Sequence, residues 1–360
     1  MASRIIEYVP RVAQFPEGGS AMLTPFIGSL WAALSGMGRP RPYADILALS
    51  GAGNRLVWRP GKWDGGNVDI LACEEDAFAP HRRALEALGL LGTFRLTKPI
   101  AGMDGPLVSE DAARAEIVKS LDAGVPVIAM GIIGPPECCV VFGYEGDGAS
   151  LVGWNYFQTD EGFPKDEPFK KMGWFEGLLG YILLADAGST PSVRENTRTA
   201  VRAIVENAMH PDVRGAKIGM AAWEAMLDAL ENASFDDCTR VLLADADGVL
   251  DDEVWEKTVQ GRFYVYCDAL CQIYERGAAL PYWESVHTEN PDWAEPIAEA
   301  IDAWRACAQY GGFLWKHLTN DEAGFRKFAD PAIRKILADE GRRAMALDQA
   351  AVAAIRKLLG

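Results

Sequence analysis

Histidine is scarce in this 360-residue chain: there are four, at positions 81, 210, 287 and 317, and no two fall within one helical turn. That spacing lacks the paired-histidine motifs with which a helix holds catalytic zinc. The seven cysteines offer no obvious substitute. Cys138 and Cys139 are adjacent, and successive side chains on a strand point to opposite faces, so the pair does not converge on one tetrahedral ion. Cys267 and Cys271 share a helix face with Tyr264, Leu270 and Tyr274 and read as small buried apolar residues. DADGVLDDE (245–253) hints at a calcium loop, but placing Gly248 on the obligatory glycine puts Leu243 where the first carboxylate belongs. No metal site is therefore expected. A GxxxxGK[ST] phosphate loop is missing, and GAGNR (51–55) is too short for a dinucleotide fingerprint, so no cofactor is expected either.

Positive charge is also in deficit, with 35 Lys and Arg against 51 acidic residues and a formal net charge of −16. Such a field disfavours nucleic acid and anionic membrane as partners. Nothing approaches the roughly 18 uninterrupted apolar residues of a membrane span. The opening MASRIIEYVPRVAQF lacks the apolar core of a secretory signal. An odd cysteine count, mostly inside apolar runs, fits reduced thiols. These features together predict a cytoplasmic protein.

What the sequence does hold is apolar residue: 49% of the chain, enough for a large core and for two domains. In the first half, GGSAMLTPFIGSLWAALSG (18–36) predicts a long helix opening at Ser20. Short helices follow at 42–51, 79–90 and 109–124, the last capped by Ser109. RLVW (55–58), VPVIAMGI (125–132), CCVVFGY (138–144), SLVGWNYF (150–157) and GLLGYILLAD (177–186) read as strands, with EGDG (145–148) as a hairpin turn. After ADAGSTPS (185–192) nearly everything has helical period. We expect an α+β domain over 1–188 and an all-α bundle over 189–360.

Nucleophilic chemistry of the papain type needs a nucleophile at a helix start, an oxyanion donor just upstream, a base at a strand start and a group to orient that base. Gln14 precedes Ser20 by six residues in QFPEGGS; ECCVVFGY begins with Glu137 and leads through a hairpin to Asn155 in GWNYF. This order resembles the papain-like fold, in particular its C39-peptidase-like branch. There a Gln-x5-Cys opens the central helix, a His-x5-Gly-Tyr strand supplies the base and an Asn or Asp on the next strand orients it. It is similar, too, to proteins of the butirosin-biosynthesis-H type, whose N-terminal domain is an amino- or acyl-group transferase. GVPVIAMGIIGPPECCVVFGYEGDGASLVGWNYFQ also looks like an uncharacterised bacterial branch with a helical C-terminal half. The resemblance spans roughly residues 10–186 as fold.

Carried over position by position, the nucleophile falls on Ser20 instead of Cys and the base on Glu137 instead of His, while Gln14 and Asn155 keep their places. A solvated glutamate, with a pKa near about 4.3, is a poor base for a serine hydroxyl, so peptidase activity is not expected. A desolvated Glu137 would instead serve as general acid or base, with Asn155 orienting it and Gln14 forming an oxyanion site. If Glu137 points into the cleft, Cys139 shares its face and Cys138 turns away. Trp154, Tyr156 and Trp63 are candidates to line a pocket for a ring or acyl chain, and Asp64 belongs to a polar loop, WDGGNVD, able to close over it. The reading is an enzyme acting on an amide-, acyl- or amino-bearing small molecule in biosynthesis or detoxification. Its alternatives are a pseudoenzyme that binds a small-molecule or peptide-like ligand, and a scaffold that forms a homo-oligomer through the helical half.

Overall fold

A computed structural model describes residues 2–16, 21–59, 69–100, 102–103, 105–235, 261–319 and 321–360. In chain order the elements are β1 (Arg4–Ile5), α1 (Pro25–Gly36), α2 (Tyr43–Ser50), β2 (Val57–Trp58), α3 (Ala79–Ala87), β3 (Leu90–Leu96), α4 (Glu110–Asp122), β4 (Val127–Met130), β5 (Cys138–Glu145), β6 (Ser150–Trp154), β7 (Phe169–Met172) and β8 (Gly180–Asp186). Then come α5 (Val193–Met209), β9 (Asp212–Val213), β10 (Ala216–Ile218), α6 (Gly219–Asn232), α7 (Gly261–Ala278), α8 (Leu280–Glu289), α9 (Ala294–His317), α10 (Glu322–Ala329) and α11 (Pro331–Arg356). The chain is α+β, with an antiparallel sheet in its first half and helices in its second. Among the described residues no helix is long and apolar enough to cross a membrane.

The chain separates into two compact units, Met1–Ser50 with Val68–Ala200, and Gly51–Asn67 with Val201–Gly360. Where the sequence predicts one break near residue 188, the second unit takes in a segment from the first half.

The first unit is built on a 7-stranded sheet in the order β3-β8-β4-β5-β6-β7, with β1 pairing β5 where β4 has ended. The apolar β4 and most of β5 are buried, because α1 and α4 both pack on them. The expected hairpin joins β5 to β6; Gly146, Asp147 and Gly148 all have positive φ, which explains the Gly-Asp-Gly of this tight turn. The last of this sheet's strands in sequence, β8, is inserted between β3 and β4. Two strands were not expected: β3, whose LLGTFRL mixes buried and exposed positions, and β7, an edge strand of four residues.

Helix α1 starts later than expected. Pro25 occupies its first turn, and Thr24 before it is extended at φ −100° and ψ 112°. Proline clashes with a helical predecessor, so the helix cannot continue back toward residue 20. The expected placement of Ser20 at the helix start is therefore corrected to Pro25; Ser20 itself lies outside the described residues.

In the second unit, β2, β10 and β9 form a 3-stranded sheet. A buried polar system holds residues 54–57 here. Arg55 pairs with Glu275 at 2.5 Å, with both side chains buried. Arg276 donates to the carbonyls of Asn54 and Arg55, and Gln272 accepts from the Val57 amide at 2.8 Å. Around this system lies an aromatic core that includes Trp58, Trp223, Phe263, Tyr266 and Phe328.

Candidate functional site

The start of α1 is fixed by a carboxylate from elsewhere in the chain. Asp69 is buried and accepts the amides of Phe26 at 3.2 Å and Ile70 at 2.9 Å on Oδ1, and the amide of Cys138 at 3.3 Å on Oδ2. A carboxylate suits the positive end of a helix dipole, and this one also ties α1 to the first residue of β5. Next to it His81, from the first turn of α3, is buried against the rings of Phe26 and Phe78, with centroids 4.2 and 5.3 Å away. One donor atom each from Asp69, His81 and Cys138 lie within 4.8 Å of one another.

The electrostatics of this group follow from its burial. Loss of hydration and then the nearby Arg82 charge pull His81 down to about 3, so its imidazole is neutral. The Ala77 backbone opposes that shift weakly, yet it lies outside hydrogen-bond geometry: among the described residues neither ring nitrogen has a partner. Burial, and secondarily Asp69, push the Cys138 thiol far up. Burial also pushes Cys139 up to about 12. Neither thiol is an activated nucleophile in this state.

Glu137 is buried immediately before β5, where its amide donates to Pro135 at 2.6 Å and its carbonyl accepts from Gly131 at 3.2 Å. Asn155 does not orient it. The Asn155 amide donates to the Ile133 carbonyl at 3.4 Å, and its oxygen accepts the Phe157 amide at 2.7 Å. Both bonds tie its side chain to the backbone of the turns on either side. Trp154 is buried and donates to the Val9 carbonyl at 3.2 Å, which makes it part of the packing. Cys139 is wholly buried, and it is Cys138 that meets the titratable groups, reversing the expected order of the two. Trp63 and Asp64 lie outside the described residues.

Three of the expected residues do converge. Gln14, Asn155 and Tyr156 line one cavity of about 220 Å³, together with Arg11, Gln158 and Thr159. The Gln14 carbonyl is held by the Met22 amide at 2.8 Å, which fixes this segment beside the approach to α1. Tyr156 reaches over α1 so closely that a Cβ on Gly28 would lie 1.7 Å from its hydroxyl. Glycine at position 28 is thus what lets the tyrosine lie there. A larger cavity, about 370 Å³, borders the Gly131–Pro136 turn and the Lys171–Glu161 ion pair, but among the described residues none of the expected site residues lines it.

Sequence reading missed Asp69 and His81 as partners of Cys138. A signal was present for the histidine: positions 81, 84, 85 and 88 form the apolar stripe of α3, so His81 faces inward. Asp69 had only its place in a polar loop. Compared with known proteins, the chain matches no protein-family model and no curated protein.

Proposed function

We propose that the first unit is a papain-like-fold, C39-peptidase-like ligand-binding unit that receives an amide-, acyl- or amino-bearing small molecule in the Gln14–Asn155–Tyr156 cavity. The observation that carries this reading is the convergence of Gln14 with the adjacent pair Asn155 and Tyr156, about 140 positions on, at one hollow. Its chemistry suits such a ligand. The Gln14 side-chain amide and the Thr159 hydroxyl offer donors and acceptors for a carbonyl or amine, and Arg11 adds a positive charge. Arg11 is already paired with Asp166 and bonded to the Lys165 carbonyl, which holds its guanidinium at the cavity wall.

Burial keeps both Cys138 and Cys139 protonated, so neither supports a cysteine-nucleophile mechanism at this unit. The enzymatic reading, with Glu137 as general acid or base, Ser20 as hydroxyl donor and chemistry of the butirosin-biosynthesis-H type, is supported by the buried carboxylate at the strand start. One experiment separates the two. A panel of small amides, thioesters and amines is screened for binding and for product with the full-length protein, Gln14→Ala and Glu137→Gln. The binding reading expects ligands that Gln14→Ala weakens and no product from any protein. Product formed by the wild type and lost in Glu137→Gln would replace it with the enzymatic reading.

A further inference from the structure

We propose that Asp69, His81 and Cys138 are the protein ligands of a zinc-type dication inside the first unit. The three donors come from a loop, from α3 and from β5, so the fold alone assembles them. Oxygen, nitrogen and sulfur together suit a borderline first-row ion, zinc foremost, and three protein donors with a fourth position for water is a known zinc pattern. Their separation of at most 4.8 Å is within about 1–1.5 Å of what bonds of roughly 2.0–2.3 Å demand in a tetrahedron.

Burial and charge argue the same way. All three residues are buried, and His81 has two ring nitrogens without a hydrogen-bond partner among the described residues, a cost that coordination would relieve at one of them. When the metal–sulfur bond forms, the Cys138 thiol proton leaves to solvent. One carboxylate and one thiolate then match the two charges of the ion, which lowers the cost of holding it at a buried position. The amides of Phe26, Ile70 and Cys138 that bond Asp69 are the kind of outer contact that orients a ligating carboxylate. Vicinal Cys139 has no part in the site.

The test uses the full-length protein, stripped with chelator under reducing conditions and titrated with Co²⁺, with Zn²⁺ as competitor. We expect one equivalent bound, with a thiolate-to-cobalt charge-transfer band that Zn²⁺ abolishes. Cys138→Ser removes the band; Asp69→Asn and His81→Gln weaken binding by more than about 100-fold, beyond the loss of an outer contact. Cys139→Ser leaves binding unchanged. Because the His81 variant is at risk of misfolding, the nearly isosteric Cys138→Ser carries the decision: added Zn²⁺ raises the melting temperature of the wild type and of Cys139→Ser but not that of Cys138→Ser. The proposal is overturned if the stripped wild type binds no equivalent, or if binding persists unaltered in Cys138→Ser, which would mark an adventitious ion elsewhere. The readouts do not involve the Gln14 cavity, so failure here leaves the proposed ligand site untouched.

Discussion

Asp348→Ala should be among the most damaging single changes in the second unit. Asp348, buried on α11, accepts from Arg276 Nε at 2.9 Å and Nη2 at 2.6 Å, from Trp304 Nε1 at 3.1 Å and from Trp223 Nε1 at 2.9 Å. The alanine would strand a guanidinium whose side chain is 1% exposed. Removing one partner of a buried ion pair costs about 3–5 kcal/mol, and each orphaned indole N–H adds up to about 1 kcal/mol. Together these come to roughly 3–7 kcal/mol, a large part of the roughly 5–15 kcal/mol that holds a domain folded. Replacing both charges is different: Arg276→Met with Asp348→Leu leaves no stranded ion and should recover much of the loss. The assay is urea unfolding of the full-length chain, read by hydrogen exchange in the segments Gly219–Asn232 and Ala294–His317. A loss below about 1 kcal/mol, or a double variant as unstable as Asp348→Ala, would refute the claim that this carboxylate works by neutralising a buried charge.

Gly28→Ala drives a methyl into the Tyr156 hydroxyl and should cost about 1–3 kcal/mol, as overpacking does, by thermal melting; the same change in a Tyr156→Ala background should cost much less. Ser109 accepts the Ala112 amide at the start of α4, so Ser109→Ala should lower stability by about 1 kcal/mol in urea titration. Burial works against the Glu116 carboxylate, but hydrogen bonds from Arg95 at 3.0 Å and the Tyr181 hydroxyl at 2.8 Å hold it below the usual range. A carboxyl depressed in the fold stabilises above its unfolded value and loses that contribution as pH falls through the folded one. The melting temperature should therefore drop on acidification below about pH 4.3, and Glu116→Gln should flatten this limb.

Much of the first unit was legible because its signals are local. The EGDG turn, the apolar β4 and β5, and the Ser109 cap each depend on neighbours a few residues away, and each forms as read. What escaped depends on distant partners. Residues 51–58 read as a helix end and a strand of the first domain, yet Arg55 finds Glu275, 220 positions on. Nothing near Arg55 announces that bond. The start of α1 was misplaced because the Gly-Gly-Ser signal outweighed Pro25, a stronger local constraint. At the site, Gln14, Asn155 and Tyr156 stood out in the sequence one by one, in separate roles, whereas the Asp69–His81–Cys138 group did not, since its three residues carry no spacing to recognise.

The central claim is that the Gln14–Asn155–Tyr156 cavity receives a small molecule. Calorimetric titration of the best amide- or acyl-bearing ligand into wild type and into Gln14→Trp, whose indole would fill the hollow, tests it most directly. The account predicts saturable binding to the wild type at a ratio of one and none to Gln14→Trp, with the two proteins melting alike. Equal affinity for both would place the ligand elsewhere and contradict the account.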